Sequence, residues 1–238
     1  ISLVPLAPRY ISTVDSGNFV GSLLTLRQGL LKIPDNKIIQ ENIFEGFTDT
    51  IDILIEKTPN TSLLKKLQED IHENSRLHID NAGSFKNHLD SIDQSVKDIL
   101  IKLNLDTGAE DDWWGEKLVI QIKNIKQDIS TFFPWLFLPA TPSKFEFLLS
   151  DLPAVPTLNQ LAGLEQSLLN KIINCYYPEN SVEESKWLDN FKSAISESAR
   201  RAKEMILRVA RLELKCRELS VIDFDFLFDK AQHLLAIG

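Results

Sequence analysis

The sequence predicts an all-α fold, a multi-helix bundle or partial α/α array with one long C-terminal helix. Three observations predict it. Only nine of 238 residues are Gly, while the helix formers Leu, Lys, Glu, Ala and Gln recur throughout. Apolar residues return at three-and-four spacing in segment after segment, the pattern of helices with one buried face. From Asn180 to Leu219 that pattern continues without a break at near-heptad spacing.

The beginning, Ile1 to Pro8, carries two prolines and reads as an extended connector reaching residue 16, because Pro disfavours helix at itself and at the residue before it. A helix is expected from Gly17 to Lys32, ended by Ile33-Pro34-Asp35-Asn36, with Asp15, Ser16 or Asn18 as its cap. A second spans Lys37 to Lys57, with Ile38, Ile39, Ile43, Phe44, Phe47, Ile51, Leu54 and Ile55 on its apolar side. Thr58 to Ser62 is a turn, and Thr61 or Ser62 starts a third helix running through His72. The fourth begins near Ser84, buries Phe85, Leu89, Ile92, Val96, Ile99, Leu100 and Leu103, and breaks at Asp106-Thr107-Gly108-Ala109.

A fifth helix, Glu110 to Phe132, opens on Glu110, Asp111 and Asp112, acids that suit the positive end of the helix dipole. Trp114, Leu118, Ile122, Ile125 and Ile129 form its stripe. From Phe133 to Pro156 the pattern gives way to a connection rich in Pro and aromatic residues, with a short helix at Ser143 to Leu149. Thr157 to Tyr176 is helical again. The segment Asn180 to Leu219 would reach roughly 60 Å as one helix, too long for a compact domain unless kinked or used as a strut. Val182, Leu188, Phe191, Ile195, Ala202, Ile206, Val209 and Leu212 are its expected buried side. Asp223 to Gly238 is either a short hairpin or a loop with a short helix. The organisation is therefore 1–16 connector, 17–132 helical region, 133–156 connection, 157–222 helical hairpin, and a separate tail at 223–238.

Composition excludes several classes of function. A net charge of −8 opposes a nucleic-acid partner, which would need clustered Lys and Arg. The richest basic run, Arg200-Arg201-Ala202-Lys203 followed by Arg208, Arg211, Lys215 and Arg217, alternates with Glu and predicts a solvated face with intrahelical ion pairs. Cys175 and Cys216 are expected as buried thiols. His72, His78, His88 and His233 lack the spacing of a helical metal site, so neither a metal nor another cofactor is expected. No P-loop, dinucleotide fingerprint or nucleophile elbow occurs, and no catalytic residue is assigned. The longest apolar run, Phe132 to Ala140, contains two Pro and is about half the roughly 18 residues of a membrane span.

Two segments are more specific than the rest. Arg9-Tyr10-Ile11-Ser12-Thr13-Val14-Asp15-Ser16-Gly17-Asn18 holds more polar groups than a helix start requires, which points either to a capped helix entrance or to a loop that holds something polar. Asp223-Phe224-Asp225-Phe226-Leu227-Phe228-Asp229 alternates acid and aromatic residues. Together, Pro8 to Asn18 and Asp223 to Gly238 resemble segments of the cyclic β-1,2-glucan synthases, large bacterial inner-membrane enzymes. Phe228 stands where that family has Tyr, and Ala236 where it has Ser. The resemblance covers about the first thirty and the last sixteen residues.

The resemblance implies an excised helical piece between a glycosyltransferase region and a glucoamylase-like domain, whose truncated start would be 223–238. An opening residue other than Met, with Met205 the only one, is in line with an excised piece. The parent would make cyclic glucan from UDP-glucose, with this segment on the cytoplasmic side. Neighbouring domains and β-1,2-glucan would be its partners. Candidate carbohydrate-binding residues are Tyr10, Ser12, Asp15, Ser16 and Asn18, with Trp113 as a stacking platform. Trp113 and Trp114 point about 100° apart on a helix, so Trp114 is expected in the core and Trp113 outside. The favoured reading is a non-catalytic linker or scaffold. The alternatives are part of an α/α-toroid glucanotransferase or glycoside hydrolase that binds glucan, and a helical protein-interaction module.

Overall fold

The computed structural model describes residues 11–40, 42–58, 61–75, 81–103 and 110–235. It contains α1 (Thr13–Lys32), α2 (Ile43–Lys57), α3 (Ser62–Ser75), α4 (Ala82–Lys102), α5 (Glu110–Phe132), α6 (Glu146–Ser150), α7 (Leu158–Ile173) and α8 (Val182–Leu219). A two-residue hairpin of β1 (Phe228–Asp229) and β2 (Leu234–Leu235) follows, with Phe228 opposite Leu235. The all-α expectation holds, and so does the long C-terminal helix. The chain forms two compact units, one of residues 1–36 with 204–238 and the other of 37–203, and α8 contributes to both.

In the unit of residues 37–203, α2 packs on α3 and α5, and α4 packs on the same two helices. Phe47, Ile51 and Leu54 of α2 meet Leu64 and Ile71 of α3, Phe85 and Leu89 of α4, and Leu118 and Ile122 of α5 in a core closed to solvent. Burial of each such side chain stabilises by about 1.5–3 kcal/mol. Polar ties fix the packing. The Thr50 hydroxyl lies 3.1 Å from Gln121 Oε1 across α2 and α5. Lys126 of α5 sits 2.7 Å from both Asp90 and Asp93 of α4, which also pair with Lys86 and Lys97.

A second part of this unit forms around Trp187. Its ring stacks between Phe145 at 5.8 Å and Phe191 at 5.0 Å, and its indole N–H donates to the Pro139 carbonyl at 3.2 Å. The aromatic connection is thus packed: Phe133, Trp135, Phe145 and Leu148 are all buried. Capping chemistry sets the helix starts. Asn81 with Ser84 and Thr157 with Gln160 form reciprocal capping boxes, and Ser181 with Glu184 makes the same exchange ahead of α8.

Several boundaries correct the sequence reading. The second helix starts at Ile43 rather than Lys37, because Lys37 bridges Thr157 and Ile38 N–H donates to the Pro156 carbonyl at 3.1 Å. This extended pairing satisfies the backbone and still buries Ile39. Helix α7 stops at Ile173, three residues short of the expected end, where Cys175 and Tyr176 N–H groups turn back to Ile172 and Ile173 carbonyls. Val182 and Leu212, expected on the buried side of α8, are exposed, Val182 at 80%. The break at Asp106 to Ala109 and the side chains of Glu110, Asp111 and Asp112 lie outside the described residues.

In the unit of residues 1–36 and 204–238, Leu23 and Leu30 of α1 pack with Met205, Val209 and Cys216 of α8. Arg27 donates to Glu213 at 2.5 Å on the same seam. This core is thin, and Phe19, Leu24, Leu26 and Leu31 of α1 remain exposed. No helix of the described residues is long and apolar enough to cross a membrane.

Candidate functional site

From Thr13 onward the polar segment is helical, not a loop. Ser12 has extended backbone (φ −82°, ψ 112°) and its hydroxyl accepts from the Asp15 N–H at 3.2 Å. Ser12 is therefore the cap, in place of Asp15, Ser16 or Asn18, and α1 begins one turn earlier than the spacing suggested. The Ser16 N–H then closes the first turn on the Ser12 carbonyl at 3.0 Å.

Winding the motif into a helix separates its side chains. Asp15 and Asn18, three apart, share one exposed face with Ser22, whereas Ser16 stands about 100° from Asp15, toward the Leu23 and Leu30 side. Asp15 occupies the first turn, where a carboxylate suits the helix dipole. Tyr10 lies outside the described residues.

Trp113 is on α5, in the other unit, and 47% exposed, outside as expected; Trp114 is half-buried rather than in the closed core. The two rings meet edge to face at 4.6 Å. Lys117, one turn on, places its ammonium 4.7 Å from the centre of the Trp113 ring. Lys117 thus occupies one face of the ring. A pyranose stacking there has to use the other face or displace the lysine.

A cleft of about 370 Å³ opens elsewhere in the same unit, at the start of α4, lined among others by Asn81, Gly83, Trp135, Leu136, Leu149 and Pro153. None of Ser12, Asp15, Ser16, Asn18 or Trp113 lines it. The sequence reading missed this cleft because most of its wall comes from the 133–156 connection, which has no helical period. The aromatic and proline content of that connection was the available signal.

Several titratable groups are held in ion pairs and hydrogen bonds. Burial opposes ionisation of Asp90 and Asp93, but hydrogen bonds and charge from Lys126, with Lys86 and Lys97, outweigh it and lower both carboxyls. Hydrogen bonds from Arg200 and Arg201 hold Glu197 down to about 2. Burial and a 2.7 Å bond to Asp189 push the Tyr176 phenol up to about 12. Cys175 and Cys216 are buried free thiols. Among the described residues no group of three or more His, Cys, Asp or Glu is placed to hold a metal ion. Compared with protein-family models and with curated proteins, the sequence finds no match in either.

Proposed function

We propose that this chain is a non-catalytic helical linker and scaffold region of a cyclic β-1,2-glucan synthase-like polypeptide. The observation that carries the reading is α8, a 38-residue uninterrupted helix that contributes to both compact units, beside a polar motif whose Ser12 serves as a helix cap. At 1.5 Å per residue α8 is about 57 Å long, a length suited to spacing modules within a larger protein. Support from sequence is the resemblance of Pro8 to Asn18 and Asp223 to Gly238 to that family. On this reading the parent is a bacterial inner-membrane enzyme that draws on UDP-glucose. The region described here faces the cytoplasm and contacts neighbouring domains.

A second reading, that the segment itself binds glucan, is favoured by one observation: Trp113 keeps nearly half of its surface exposed. Titration with linear β-1,2-gluco-oligosaccharides, followed by Trp fluorescence, separates the two. The scaffold reading expects no saturable change at millimolar glucan, for the native chain and for Asp15→Ala alike. Saturable binding abolished by Asp15→Ala or by Trp113→Ala overturns it and establishes a sugar site.

A further inference from the structure

The distal half of α8 carries a basic row that no described residue pairs. Arg208, Arg211 and Lys215, at i, i+3 and i+7, share one exposed face. Arg200 and Arg201, further back on the helix, pair with Glu197, but these three make no ion pair among the described residues. Between 207 and 217 the only acid is Glu213, and Arg27 takes it. Leu207 and Leu214 border the basic row on one side, Leu212 and Leu219 on the other, and all four are exposed. The face is solvated, as expected, but the intrahelical ion pairs expected along it form at Arg200 and Arg201 and not at these three among the described residues.

The same unit carries the complementary pattern. Asp223, Asp225 and Asp229 are exposed acids, also without an ion pair among the described residues, and they alternate with Phe226 and Phe228. Phe226 is 66% exposed, although Leu227 beside it is buried. The Asp223 and Asp229 carboxylates accept from nearby backbone N–H groups, which holds the segment in a defined turn. An acidic row with large apolar side chains thus stands close in sequence to a basic row with apolar borders, and neither is paired among the described residues.

We propose that the basic, leucine-bordered face of α8 is a docking surface for a second copy of this chain, whose Asp223 to Asp229 segment it receives. Because each copy carries both patterns, two copies exchange segments about a two-fold axis, the closed arrangement expected of homodimers. Opposite charges set the register, and Phe226 and Phe228 reach the exposed leucines. The proposal does not depend on the glucan synthase reading.

Charge reversal on the full chain, read by analytical ultracentrifugation from micromolar to submillimolar protein, tests it. The native chain is expected to form a dimer weakened by salt. Arg208→Glu with Lys215→Glu, and separately Asp225→Lys with Phe226→Lys, should each weaken the dimer more than about tenfold, because like charges then face each other. All four positions are exposed, and unchanged helicity by circular dichroism shows that the variants fold. Mixing the two variants should restore the dimer, since each then offers the other a complementary pair. A native chain that stays monomeric overturns the proposal. So does a dimer indifferent to both reversals, or a mixture of variants that fails to associate.

Discussion

The Ser198 hydroxyl, buried on α8, donates a 2.7 Å hydrogen bond to the carbonyl of Phe132, the last residue of α5. The final carbonyls of a helix have no partner within it, and water does not reach Ser198. A side chain from a helix distant in sequence therefore completes the end of α5. Ser198→Ala should destabilise the protein by about 1–3 kcal/mol, the cost of an orphaned buried acceptor. Urea unfolding checks this, and a loss below about 0.5 kcal/mol, the size of an ordinary surface change, counts against it.

Acid sensitivity near neutrality should trace to His88. Its ring packs 5.2 Å from Phe44, and its Nε2 is buried without a hydrogen-bond partner among the described residues. Burial lowers its pKa below the ordinary 6.5. The folded state thus favours neutral imidazole. This contribution is complete above pH 6.5 and is lost as pH falls from there toward the lowered folded value. His88→Leu should flatten the stability profile between about pH 7 and 5. An unchanged slope in thermal melts across that interval would sink the assignment.

Lys126 should matter more than an ordinary surface lysine, because it bridges two carboxylates and Asp93 is only 9% exposed. Lys126→Met should cost about 1–2 kcal/mol at neutral pH, between the values for exposed and buried pairs. Asp90 and Asp93 are both lowered from 3.8, so their contribution is present above that pH and fades as pH falls through their folded values. The native chain and the variant should therefore converge in strong acid. A difference that persists at low pH would assign the effect to packing instead.

At the start of α1, capping and charge separate. Ser12→Ala should cost about 1 kcal/mol. Asp15→Ala removes only a favourable charge in the first turn, about 0.3–1 kcal/mol and screened by salt. Melts at low and high salt distinguish them, and a salt-sensitive Ser12→Ala or a salt-insensitive Asp15→Ala contradicts these roles.

Removing Trp187 should be the most damaging of these substitutions. Trp187→Ala deletes two stacked contacts and a hydrogen bond, with an expected loss of about 3–5 kcal/mol. Trp187→Phe should cost less, since the stack with Phe145 and Phe191 is kept. Equal losses for the two variants would show that the indole N–H bond to Pro139 dominates.

The sequence by itself determined the helical character of the chain and most of its helix-facing residues. A period of three and four residues is a local signal, and Phe47, Ile51, Phe85, Leu89, Leu118 and Ile122 lie buried where that period puts them. Capping is nearly as local, and the start expected at Thr157 falls on the residue that caps α7, but choosing among Ser12, Asp15, Ser16 and Asn18 required the backbone conformation. Tertiary structure alone decided what happens where partners come from far along the chain. Lys37 to Ile39 leave the helix because Pro156 and Thr157 receive them, and the irregular 133–156 connection becomes packed because Trp187, itself stacked on Phe191, closes over Phe145. It also dispersed the Ser12 to Asn18 cluster, since side chains adjacent in sequence diverge by about 100° once wound into a helix. Which face of α8 stays open has the same origin: burial depends on the neighbours that arrive, and those neighbours are not written in the period of the helix itself.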